Sequence, residues 1–206
     1  MHYLQKKHAQ LIIDRAMATS APDPRFEELV DFIEAAAREV YPESQILNQR
    51  DLRPYIKSIL AVDNKNYKNP THYVDRNNYF FTTLEPTEDS LEDSLPETEL
   101  QSAAREIMSH DSVKALANTA FPDGTDCAAL RAAIKAAADA YSKAIEAVCM
   151  DRASGDSEEA KSKFKEWNSG LHRYIRKKTC FGRPGPGSQD VMAVLGYNEC
   201  LRRFEL

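Results

Sequence analysis

The stretch DPRFEELVDFIEAAAREV, residues 23–40, decides the fold class. Asp23 carries an acceptor side chain suited to capping a helix, and Pro24 suits the first helical position. Glu27 and Glu28 then stand where the helix dipole favours negative charge. Phe26, Leu29, Val30, Ile33, Ala37 and Val40 recur at three- and four-residue steps, which predicts one buried face.

Helical patterns extend outward from this segment in both directions. Leu4, Leu11, Ile12 and Met17 predict a first helix over residues 3–18, closed by the break at Ser20-Ala21-Pro22. Leu52, Ile56, Ile59 and Leu60 give a helix over 48–62 its apolar side, with Pro54 in its first turns. Further helices are predicted over 94–109, with Ser94 as cap, and over 111–120. A long alanine-rich helix opens at Thr125 or Asp126 and ends near Arg152. Asp156 caps another to about Lys178, and Ser188 caps a last one to about Arg203.

Residues 63–78 break the pattern with five asparagines and a proline, a turn-forming composition. The aromatic run Tyr79-Phe80-Phe81 has strand preference, and pairing with His72-Tyr73-Val74 through the 75–78 turn predicts one short hairpin. The expected fold is therefore all-α, a multi-helix bundle of about seven or eight helices with one minor β-hairpin. Its expected divisions are a helical region over 1–84, an acidic linker over 85–99, and a helical region over 100–206 with a basic end.

Composition narrows the function classes. Seven glycines in 206 residues disfavour a glycine-rich nucleotide fold. No apolar run approaches the roughly 20 residues of a membrane span, and Leu11-Ile12-Ile13 is too short for a secretory signal. Cys127, Cys149, Cys180 and Cys200 lie 22, 31 and 20 positions apart, spacing that fits four thiols of a reducing, cytoplasmic setting. The histidines show no ligand spacing, so no metal or cofactor is expected.

Charge is the informative asymmetry. Residues 161–206 hold ten Lys or Arg against four Asp or Glu, a balance of +6, so the remainder of a chain of net charge −5 carries −11. The basic residues concentrate on the helix over 161–178. There Phe164, Trp167, Leu171, Tyr174 and Ile175 form the packing stripe, and Lys161, Lys165, His172 and Arg176 lie beside it. Arg173 and Lys177 continue the positive face. Its plainest reading is a solvated face that offsets the acidic body; its functional reading is a docking surface for an anionic partner.

The following segment, FGRPGPGS over 181–188, offers accessible backbone N–H groups, Arg183 and a helix N-terminus. It lacks the GxxxxGK[ST] spacing, and its two prolines remove donors, so it reads as a connector. Cys180 has Lys177, Lys178 and Arg183 near it in sequence, which would favour a thiolate. His172 is roughly 12 Å along a helix from it, too far for a general base. No catalytic residue is expected.

A second candidate surface gathers Tyr67, Tyr73, Tyr79, Phe80 and Phe81 with Lys65, Lys68 and Arg76, aromatics and cations that can anchor an interface. The expectation is a non-enzymatic adaptor or regulatory protein with a protein partner, contacted through Lys165, Arg173, Arg176, Lys177, Tyr73 and Tyr79. A nucleic-acid-binding protein that uses the same basic helix is the first alternative, and an enzyme without a recognisable motif is the second.

Overall fold

The computed structural model describes residues 6–84, 95–119, 122–155 and 157–206. Among these there are eleven α-helices and no strand. The chain divides into two compact units, one of Met1–Leu84 with Ala120–Lys135 and one of Glu85–Thr119 with Ala136–Leu206. The expected linker falls largely outside the described residues, which omit 85–94 and with them the Ser94 cap. Glu97 and Glu99 lie in the first turn of a helix, where acids are favoured.

In the first unit, α1 (Lys6–Ala16), α4 (Leu52–Val62) and α5 (Pro70–Arg76) pack around α2 (Pro24–Val40). The Asp23 carboxylate accepts from the Arg25 N–H at 3.0 Å and opens α2, as its position in the sequence requires. Phe26, Leu29, Val30 and Ile33 are all buried, and each contributes about 1.5–3 kcal/mol of apolar burial. Two caps split the expected helix over 48–62: Ser44 opens the single turn α3 (Gln45–Asn48), and Asp51 opens α4. Pro54 sits at the third position of α4, where the missing N–H costs nothing.

The predicted hairpin is absent. Asn69 caps α5 by accepting from the His72 N–H at 2.8 Å, and Pro70 presets the first helical φ, so His72, Tyr73 and Val74 are helical. Asn78–Phe80 form a single 3-10 turn. The aromatic run satisfies its preference for a packed surface without a sheet, with Tyr79, Phe80 and Phe81 all inaccessible to solvent. Backbone groups there are met by side chains: the Tyr55 hydroxyl donates to the Phe80 carbonyl at 2.8 Å and the Ser44 hydroxyl to that of Phe81.

The second unit is built on α9 (Glu158–Cys180), against which α6 (Glu97–Ser109), α10 (Ser188–Leu195) and α11 (Tyr197–Phe204) pack. The short α7 (Asp111–Lys114) and a 3-10 turn over Ala115–Asn118 follow α6. The long α8 (Cys127–Ala153) gives its first nine residues to the first unit and the rest to the second. Ser157, whose hydroxyl accepts from the Ala160 N–H at 3.2 Å, caps α9 in place of Asp156, which lies outside the described residues. The α9 helix ends where Phe181 turns left-handed at φ +55°. Gly196, at φ +80°, breaks the expected helix over 188–203 into α10 and α11. Single-turn α3, helical α5 and this break raise the count above the expected seven or eight.

Candidate basic groove on α9

Trp167, Leu171, Tyr174 and Ile175 of the predicted packing stripe are buried on α9 and hold it down, while Phe164 is half-buried. Gly170 lets a neighbour come close, since a methyl there would stand 3.1 Å from Leu95 Cδ1 and 3.6 Å from Leu100 Cδ2. On the opposite side Lys165 is exposed, while His172, Arg173, Arg176 and Lys177 are half-buried. At about 100° per residue, Lys165, His172 and Arg176 fall within roughly 40° of one another, and Arg173 lies about 60° beyond Arg176. Lys177 sits a further 40° or so round, off the centre of the face.

Much of the basic charge nearby is already matched. Lys161 pairs with Glu158 at 2.6 Å, Lys163 with Glu159 at 3.1 Å, and Lys178 with Glu97 of α6 at 3.3 Å. Glu199 of α11 holds both Arg202 and Arg203 at 2.7 Å. Among the described residues, Lys165 and Lys177 make no such pair.

Arg176 donates from Nη1 to the Pro186 carbonyl at 2.9 Å and from Nη2 to that of Gly185 at 3.0 Å. It therefore holds the glycine-proline connector against α9, a role the sequence reading did not give it. The two segments border a shallow, largely open groove of about 550 Å³ lined by Ser169, His172, Arg173, Arg176 and residues 185–189. Burial, and after it the Arg176 charge, hold the His172 imidazole below the usual histidine value. The Asp190 carboxylate lies close to Gly187 at the start of α10. Burial pushes the Asp190 carboxyl above its ordinary range.

Tyr73 and Tyr79 do not belong to a surface. Both are wholly buried: the Tyr73 hydroxyl donates to the Asp63 carbonyl at 2.9 Å, and that of Tyr79 to Asn77 Oδ1 at 3.2 Å. Their aromatic area is more useful in the core of a helical unit with no sheet to cover it, so the second candidate surface is withdrawn. Cys180 is also buried, and desolvation pushes its thiol up in spite of the nearby arginines. The lowering of its pKa expected from its sequence neighbours is outweighed by this burial.

The sequence reading missed a polar cleft in the first unit. The Lys57 side chain is 5% exposed, yet its ammonium donates to Glu27 Oε1 at 2.7 Å and to the Gly124 carbonyl at 2.8 Å. Glu27 Oε2 in turn takes Arg53 at 2.6 Å, and Arg53 also pairs with Asp31. Lys57, Glu27 and Arg53 line a cleft of about 590 Å³ together with Asp51, Asp123 and Asp126. Each of the three aspartates spends an oxygen on a nearby backbone N–H, of Arg53, Thr125 and Ala129 respectively. Hydrogen bonds hold Asp123 and Asp126 below the ordinary carboxylate range. The arrangement fastens the 122–126 turn to α2 and α4. Lys57 lies about 60° off the apolar stripe of α4, so only the fold brings it to Glu27.

Among the described residues, no group of three or more His, Cys, Asp or Glu side chains is placed to hold a metal ion. No helix there is long and apolar enough to cross a membrane. No protein-family profile, curated protein or solved structure matches the chain.

Proposed function

We propose that the chain is a non-enzymatic adaptor or regulatory protein that docks an acidic segment of a partner protein along the outer face of α9. The observation that carries this reading is the open groove that α9 forms with residues 185–189, with Arg173 and Arg176 lining it and exposed Lys165 on the same face. The packing stripe anchors the helix, so the outer charges are carried on a backbone already ordered before binding. The buried cysteine and the inward-tied lysine give no comparable support to an enzyme.

The test is a triple charge reversal, Lys165→Glu, Arg173→Glu and Lys177→Glu, which leaves Arg176 to hold the connector. Circular dichroism first establishes that the variant is folded. Binding is then measured with a fluorescent oligo-glutamate peptide and with a single-stranded oligonucleotide of equal charge. The native protein should bind the peptide, and the reversal should weaken it about tenfold, as three surface pairs at ~0.5 kcal/mol each imply. Equal binding by variant and native protein would sink the reading. Tighter binding of the oligonucleotide, lost on reversal, would replace it with nucleic-acid recognition.

A further inference from the structure

We propose that a second groove, between α1 and residues 19–25, binds the free C-terminus of a partner polypeptide whose last residue is apolar. This docking place is independent of the α9 face. Among the described residues, only Leu11 and Met150 are large apolar side chains left exposed. Leu11 belongs to the stripe that predicts α1, yet it is 68% exposed, so its own unit does not cover it. At about 100° per residue, His8, Leu11, Ile12 and Arg15 span roughly 100° and form one face of α1. With residues 19–25 this face borders a groove of about 440 Å³. That volume lies within the roughly 300–1,000 Å³ of ligand sites.

The walls combine an apolar part with a cationic one. Leu11, Ile12, Pro22 and Pro24 supply the apolar part, and the prolines carry no N–H to bond a ligand. Arg15 and Arg25 supply the charge. Both are exposed, and neither guanidinium has an ion-pair or hydrogen-bond partner among the described residues. Asp14, beside Arg15 in the chain, instead accepts from Gln10 at 3.0 Å and from Asn64 at 2.8 Å. Asp23, the one acid of the walls, has an oxygen on the Arg25 N–H at 3.0 Å. Two guanidiniums against one carboxylate leave the groove positive, and the guanidinium fork matches a carboxylate. Leu11 and Arg15 are four positions apart on the helix, with about 5–6 Å between their Cβ atoms, so the ligand must carry its carboxylate close to its apolar group. A C-terminal apolar residue carries both on one Cα, whereas an internal acidic residue needs a second residue to supply the apolar group.

The test uses the full chain and a fluorescent Gly-Ser-Gly-Ser-Leu peptide, as the free acid and as the C-terminal amide, with a free-acid twin that ends in Gly. Affinities are read by anisotropy. The free acid should bind about tenfold tighter than the amide and about tenfold tighter than the Gly twin. Arg15→Gln combined with Arg25→Gln should abolish the first preference, and Leu11→Ser the second. All three positions are exposed, and circular dichroism checks that the variants fold. The triple reversal on α9 should leave both preferences in place, since that face belongs to the other unit. Equal affinity for acid and amide, or an acid preference that survives the double arginine variant, would overturn the proposal. So would an amidated peptide with an internal Glu-Leu pair that matches the free acid, or decanoate that binds tighter than the peptide. Loss of the acid preference in the α9 reversal would assign the peptide to that face and remove it from this groove.

Discussion

A methyl group at position 124 would stand 3.0 Å from the Cδ of Lys57 and 3.3 Å from the Cα of Pro54, on a backbone at φ +83°. The positive φ and the close approach thus demand glycine together, and the reward is a carbonyl aimed at the Lys57 ammonium. Gly124→Ala should cost about 2 kcal/mol in urea denaturation. Gly196→Ala, at φ +80° and ψ +163°, a region essentially closed to other residues, should also cost about 2 kcal/mol, from strain without a clash. A loss well below about 1 kcal/mol at position 124 would mean that the Lys57 contact is slack. His172 offers a pH test. Its folded value lies below the unfolded value of about 6.5, so the unfolded chain binds more protons as the solution is acidified. Stability from this group is present above that value and is lost as pH falls through the folded value. The urea midpoint of the native protein should therefore drop from pH 7 toward about pH 5 by more than that of His172→Gln. Parallel curves for the two proteins would show that the ring titrates as if in water.

At the level of elements, the legible parts of the sequence were those with both a cap and a period. Asp23-Pro24 followed by a four-turn apolar face gave α2, and the Trp167-to-Ile175 stripe gave the buried side of α9, because each signal is local and repeated. The hairpin failed where two local signals conflicted. Asn69-Pro70 is a helix start, whereas Tyr79-Phe80-Phe81 has β preference, and β preference expresses burial that a helical core also supplies. The single helix expected over 188–203 failed at Gly196, since a glycine inside a helical period costs only about 1 kcal/mol and does not by itself announce a break. The candidate site was legible to the extent that it lies on one helix. Lys165, Arg173 and Arg176 share a face that periodicity alone defines, but the second wall of the groove comes from residues 185–189, and only the fold brings it there. Lys57 and Glu27 were hidden for the same reason, being 30 positions apart on different helices. Tyr73 and Tyr79 were misjudged because composition cannot tell a buried aromatic from an exposed one.

For the molecule as a whole, the question is whether the +6 balance of residues 161–206 serves the fold or a partner. Lys161, Lys163, Lys178, Arg202 and Arg203 answer to carboxylates of the second unit, and the first two of these pairs are exposed on both sides. Exposed pairs contribute about 0–1 kcal/mol each, so they can be screened at small cost to the fold. On the proposed reading Lys165 and Lys177 act on a ligand that arrives from solution, and such an encounter would weaken steeply once the Debye length shrinks below the span of the surface. Raising salt from about 50 mM to about 500 mM should thus change the unfolding free energy by no more than ~1 kcal/mol while it weakens the acidic peptide by at least about tenfold. Urea titrations and peptide anisotropy on one preparation measure both quantities. A large loss of stability with unchanged peptide affinity would place the asymmetry inside the fold, where it neutralises the acidic body and recruits nothing. The predicted outcome keeps it on the outer face of α9, where its removal by Lys165→Glu and Lys177→Glu alters binding and leaves the urea midpoint nearly where it was.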